Sequence, residues 1–154
     1  MSTALILQID SASSNSTELV AEQIGRCLKG GEVIELVSDL GGGKTTFMRG
    51  FAKGAGSTDH VSSPTFTISN VYQAKDLVLH HFDFYRLPEA GLIEYELHDV
   101  LGDPKAVVAV EWSNVIKHVL PQDRLTIHLK TTGDESRQLE FTYPLSLSYL
   151  VENL

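Results

Sequence analysis

The stretch Val33-Ile34-Glu35-Leu36-Val37-Ser38-Asp39-Leu40-Gly41-Gly42-Gly43-Lys44-Thr45-Thr46 decides the fold. An apolar run ends in three consecutive glycines, a lysine and two threonines, and the helical pattern Phe47-Met48-Arg49-Gly50-Phe51 follows. Strand, glycine-rich turn, Lys-Thr and helix make up a phosphate-binding loop. Glycines let backbone N–H groups close around phosphate oxygens, and the new helix adds unpaired donors and partial positive charge at its start. In that arrangement Asp39 to Thr46 surround the phosphates, Lys44 reaches the β- and γ-phosphates, and the Thr45 hydroxyl ligates Mg²⁺. One position departs from G-x-x-x-x-G-K-[ST]: Ser38 stands where the first glycine is usual.

The chain outside the loop reads as an α/β protein. Its 154 residues suit one domain spanning 1–154, with a core of ordinary size. A net charge of −8 argues against a large nucleic-acid footprint, which needs clustered Lys and Arg. The lone Cys27 forms no disulfide framework and fits a reducing, cytoplasmic compartment. No basic segment with a following apolar run opens the chain, and no apolar run approaches membrane-spanning length, so neither export nor a membrane is expected.

Leu5–Ile9 reads as a strand, and a helix is expected from about Asn15 to Leu28. Asn15 would be its cap, with Val20, Ile24 and Leu28 on one face. After the loop helix, which buries Phe47, Met48 and Phe51, two strands are expected at Thr65–Tyr72 and Leu77–Tyr85. They would form an antiparallel hairpin. A helix is expected over Leu87–Leu101. The run Ala106-Val107-Val108-Ala109-Val110 then has the pattern of a strand buried on both faces. A short helix to about Val119 and a terminal hairpin, Arg124–Lys130 with Arg137–Tyr143, complete the reading.

A phosphate loop that holds Mg²⁺ needs another carboxylate at the end of a buried strand. Asp83 and Glu111 both qualify. One would orient the metal and the other the attacking water. His80 and His81 point to opposite faces of their strand, and His81 with Asp83 supplies only two ligands, so zinc is not expected. Ser63-Pro64-Thr65 lies where nucleotide-dependent proteins often place a segment that senses the γ-phosphate. No N-K-x-D tetrapeptide occurs, which favours adenine over guanine. A P-loop kinase of a small metabolite or nucleoside, or a nucleotide-gated binding module, stays open on these residues alone.

Together these segments resemble the bacterial TsaE (YjeE) family. The resemblance rests on Ser38–Phe47, Val61-Ser62-Ser63-Pro64-Thr65-Phe66, His81-Phe82-Asp83-Phe84-Tyr85-Arg86-Leu87 and Glu111-Trp112, in that order. Ser113 follows Glu111-Trp112 where a proline is common. The resemblance implies a P-loop fold with a mainly parallel sheet and an inserted antiparallel hairpin. It implies ATP and Mg²⁺ as cofactors, and hydrolysis that is slow alone and matters chiefly within a complex. The implied partners are TsaB and TsaD, the latter transferring a threonylcarbamoyl group to adenosine 37 of tRNA. The chain itself would reset that complex between turnovers and meet tRNA only indirectly. By the same resemblance, Lys44, Asp83 and Glu111 are the catalytic residues, with Thr45, Asp83 and Glu111 at the metal. Ser63, Pro64 and Thr65 form the switch, Trp112 braces Glu111 or a partner, Arg137 lies near the nucleotide and Thr17 near the adenine.

Overall fold

The computed structural model describes residues 3–39, 41–65 and 67–154. Seven strands form one sheet: β1 (Leu5–Ser11), β2 (Val33–Val37), β3 (Ser69–Gln73), β4 (Val78–Asp83), β5 (Ala106–Glu111), β6 (Leu125–Thr131) and β7 (Arg137–Tyr143), in the spatial order β1-β7-β6-β2-β5-β4-β3. The four central strands β6, β2, β5 and β4 are parallel, while β3 and the β7–β1 pair join antiparallel at the two edges. The two most apolar segments, β2 and β5, are neighbours in the middle, where every residue of β5 is buried. A continuous apolar strand belongs there because helices cover both its faces.

Helices α1 (Ser14–Arg26) and α2 (Lys44–Gly54) cover one face of the sheet. Phe47, Met48 and Phe51 of α2 are fully buried against Ile34, Leu36, Val107 and Ile127, as the sequence pattern requires. Each such side chain contributes on the order of 1.5–3 kcal/mol. The two helices touch at backbone distance. A Cβ added at Gly50 would lie 2.1 Å from Glu18 O, and one at Gly25 would lie 2.2 Å from Phe51 O. The other face carries α3 (Ile93–Leu101) and the segment after β5, packed on Phe82, Phe84, Val108 and Val110.

Several local expectations are corrected. The cap of α1 is Ser13, not Asn15: its extended backbone (φ −155°, ψ 165°) lets its hydroxyl accept from Ser16 N at 3.1 Å. Asn15 then falls inside the first turn. Strand β3 starts at Ser69 rather than Thr65, because Thr67 N and Ile68 N both bond back to Pro64 O, at 3.1 and 2.7 Å. Strand β4 ends at Asp83 rather than Tyr85, since Leu87 N turns back onto Phe84 O at 3.0 Å. The helix expected from Leu87 begins only at Ile93, after Gly91 at φ 56°. The helix expected after Trp112 is two 3₁₀ turns, Ser113–Val115 and Lys117–Val119. Trp112 enters them left-handed (φ 54°, ψ 56°), and Ile116 at φ −129° interrupts them. A further 3₁₀ segment, Leu145–Leu150, returns the C-terminal residues to the core, where the Tyr149 hydroxyl donates to Glu32 at 2.7 Å.

Candidate phosphate and metal site

The C-terminal ends of β2, β4 and β5 meet the start of α2 at one edge of the sheet, and a cavity of about 260 Å³ opens there. Gly41, Gly42, Gly43, Lys44, Thr45 and Thr46 form one wall; Ser63, Thr65, Asp83, Glu111 and Trp112 form the other. Leu40 lies outside the described residues, and Asp39 is exposed at the loop's entrance. Gly41 (φ 76°) and Gly43 (φ 99°) take left-handed conformations that a side chain would strain. Gly43 is also the cap of α2 and offers no side-chain oxygen to the first helical N–H groups. Those donors are left to a ligand, which is the condition for holding an anion at a helix start.

Lys44 is 8% exposed. Its ammonium donates to Ser38 Oγ at 2.9 Å, Asp39 O at 3.3 Å and Ser38 O at 3.4 Å, and lies 4.0 Å from Glu111 Oε1. It also sits 4.9 Å from the centre of the Trp112 ring. Burial holds its pKa below the ordinary lysine value, against the upward pull of Glu111, Asp83 and Asp39. The phosphate-seeking lysine is therefore folded back on its own loop.

Asp83 and Glu111 are register partners at the ends of adjacent parallel strands, each 3% exposed. Asp83 Oδ2 accepts from the Thr65 hydroxyl at 2.7 Å and Oδ1 from Tyr85 N at 2.8 Å. The Thr65 and Ser63 hydroxyls are bonded to each other at 2.7 Å, so the segment around Pro64 is fastened to Asp83 through its threonine. Glu111 Oε2 is hydrogen-bonded to His81 Nε2. Among the described residues no group of three or more His, Cys, Asp or Glu side chains could cage a metal ion. The oxygen donors Thr45, Asp83 and Glu111 nevertheless line the same cavity, which fits an ion such as Mg²⁺ that takes few protein ligands and completes its shell with phosphate and water.

The family model described as "Threonylcarbamoyl adenosine biosynthesis protein TsaE" matches residues 11–139. The chain belongs to the TsaE family. A "tRNA threonylcarbamoyladenosine biosynthesis protein TsaE" from Bacillus subtilis is 43% identical over 130 residues, covering 82% of this chain and 78% of that protein. One of the same description from a Nostoc species is 37% identical over 135 residues, covering 85% and 82%. The crystal structure of Bacillus subtilis YdiB superposes with a TM-score of 0.80 at 36% identity, covering 99% of this chain and 96% of that one.

Within this TsaE fold the remaining residues named from the sequence fall in different places. Arg137, at the start of β7, donates to Gly42 O at 3.1 Å and Gly41 O at 3.4 Å, fastening the loop from outside the cavity. Thr17 is 1% exposed, bonds the Ser11 hydroxyl at 2.7 Å and does not line the cavity. Trp112 packs on Tyr85 with ring centres 4.9 Å apart, next to Glu111. Two participants escaped the sequence reading. In the sequence Ser38 stands only as a missing glycine, although a hydroxyl at that position of a phosphate loop is a visible departure that here bonds Lys44. Alternation puts His81 on one face with Asp83, but its bond to Glu111 depends on a strand pairing 30 residues away. No helix among the described residues is long and apolar enough to cross a membrane.

Proposed function

We propose that this chain is a Mg²⁺-dependent ATPase subunit of the tRNA threonylcarbamoyladenosine machinery. It works as a single cytoplasmic domain with TsaB and TsaD and resets the transferase complex between turnovers. The observation that carries this reading is the convergence of the glycine loop, Lys44, Thr45, Asp83 and Glu111 on one cavity. The relatives, tRNA threonylcarbamoyladenosine biosynthesis proteins, point to the pathway, and the net charge of −8 fits a subunit that leaves tRNA to its partners.

In this reading the amides of Gly41 to Thr46 cradle the phosphates, and Lys44 leaves Ser38 and Asp39 to meet the β- and γ-oxygens. Thr45, Asp83 and Glu111 would hold Mg²⁺, which would supply positive charge to the phosphates. Thr65 gives up Asp83 when the site fills, and so carries the state of the site into the Ser63–Thr65 segment. Glu111 is fixed from behind by His81 and positions the attacking water. Arg137 keeps the loop closed from outside.

The test is multi-turnover threonylcarbamoylation of tRNA by purified TsaB and TsaD, with and without this protein and ATP. Higher turnover only when both are present supports the reading, and equal turnover throughout defeats it. Asp83→Asn and Glu111→Gln should abolish the gain; full function in both would favour a nucleotide-gated module without useful hydrolysis.

A further inference from the structure

We propose that His81 is the positioning residue of the site: its Nε2–H holds Glu111 Oε2, so that Oε1 faces Lys44 and the cavity. This inference rests on the ATPase reading for its kinetic consequence, though not for its geometry.

The His81 side chain is wholly buried in β4, and among the described residues Nε2 has a partner, Glu111 Oε2, while Nδ1 has none. Nδ1 is buried with no hydrogen-bond partner among the described residues, and the Tyr72 ring lies tilted at 6.4 Å between centres. A hydrogen on Nδ1 would have no acceptor, which costs about 1–3 kcal/mol for a buried donor. The arrangement therefore selects the tautomer with hydrogen on Nε2, pointing at the carboxylate. A histidine that merely filled the core would gain nothing from this burial, since an apolar side chain would fill the space without an orphaned nitrogen.

The rest of the carboxylate's surroundings show what the bond accomplishes. Lys44 lies 4.0 Å from Oε1, beyond hydrogen-bond distance. Without His81, Glu111 would be a buried carboxylate with neither oxygen hydrogen-bonded to a described residue, free to turn and close on the Lys44 ammonium. That contact would draw the lysine from the phosphates and the carboxylate from the water. His81 prevents it by occupying Oε2 from the core side. Asp83 has its own fastenings, Thr65 and Tyr85 N, so the two carboxylates are held independently.

Three variants separate this role from packing. His81→Gln keeps an N–H donor near the Nε2 position; His81→Asn offers one near Nδ1, where the structure has no partner; His81→Leu keeps bulk alone. The expected result is ATP hydrolysis close to wild type for Gln. For Asn and Leu it should be lowered roughly ten- to hundred-fold in kcat, the usual cost of losing a group that orients a metal-site ligand. Mg·ATP affinity, read from the fluorescence of Trp112, the chain's one tryptophan, should weaken in Asn and Leu, where Glu111 can close on Lys44, and stay close to wild type in Gln. Wild-type kcat in His81→Leu, or an equal loss in folded Gln and Asn variants, overturns the inference. A long-range ¹H–¹⁵N spectrum of the nucleotide-free wild type tests the geometry separately. Hydrogen on Nε2, with a signal displaced in Glu111→Gln, supports the assignment, and hydrogen on Nδ1 overturns it even where hydrolysis is normal. Wild-type protein that hydrolyses no ATP with its partners present defeats the ATPase reading instead, and the spectrum then decides His81 alone.

Discussion

Ser38 occupies the first-glycine position of the phosphate loop, and its hydroxyl is the nearest partner of the Lys44 ammonium at 2.9 Å. A lysine that must reach phosphate first gives up that bond and two carbonyl contacts. Ser38→Gly removes the bond, which is worth about 1 kcal/mol net, so Mg·ATP affinity should rise by roughly three- to tenfold in calorimetry. Unchanged or weaker binding would mean that the hydroxyl serves the bound nucleotide instead. Lys44→Met probes the same balance from the other side. Burial already disfavours the Lys44 charge more than its acidic neighbours favour it. The variant should therefore keep or raise the Tm of the nucleotide-free protein while losing at least tenfold in Mg·ATP affinity. A fall in both would show that Lys44 also holds the empty fold together.

At the scale of elements, the parts legible in the sequence were those whose cause is local. The apolar runs of β2 and β5 announced central strands, and Phe47, Met48 and Phe51 announced the buried side of α2. Glu111 is legible as a strand end and Asp83 as a carboxylate late in its strand, and their shared register follows from β4 lying beside β5. What stayed hidden depends on distant partners or on a single backbone angle. Trp112 at φ 54° turns an expected helix into 3₁₀ turns, and β1 is placed by β7 at the far end of the chain. Glu35 shows the difference most clearly, as a carboxylate inside an apolar strand that is 4% exposed. Its oxygens accept from the Ser113 hydroxyl, Arg124 Nε at 3.2 Å and Thr126 Oγ1 at 3.1 Å, which ties β2 to β6 and to the turn after Trp112. Burial alone would raise its pKa. The bonds from Ser113, Arg124 and Thr126 and the Arg124 charge outweigh it and hold the carboxyl below its ordinary value of 4.5. A depressed folded pKa stabilises the protein above the unfolded value, and that stability is lost as pH falls through the folded one. Glu35→Gln should therefore lower Tm at pH 7 by the equivalent of about 1–3 kcal/mol. The gap from wild type should shrink below pH 4.5. A gap that is constant from pH 7 to pH 3 would assign the loss to shape rather than charge.

For the whole molecule, the site depends on how closely α1 and α2 lie together over the sheet. Lys44 is the first residue of α2, so any shift of that helix moves the loop. Gly25 on α1, with Gly50 and Gly54 on α2, lets the backbones meet; a Cβ at Gly54 would come within 2.0 Å of Glu22 O. The surface pair Arg49–Glu18, at 3.2 Å, crosses the same seam but is exposed and adds little. Gly50→Ala must push the helices apart or bend them, an overpacking cost of about 1–3 kcal/mol. For a domain of this size that corresponds to roughly 2–12 °C in Tm. Gly102→Ala is the matched control, because its Cβ would meet nothing nearer than Asp99 O at 3.7 Å and its φ is −86°. That variant should melt within a degree or two of wild type. If the seam also sets the loop, Gly50→Ala should show a smaller rise in Tm on adding saturating Mg·ATP than wild type, since a displaced α2 presents its N-terminal amides less well to phosphate. An undiminished rise beside a lowered Tm would mean that the loop holds its shape through Arg137 and the strand ends alone, with the helix pair contributing stability and nothing to binding.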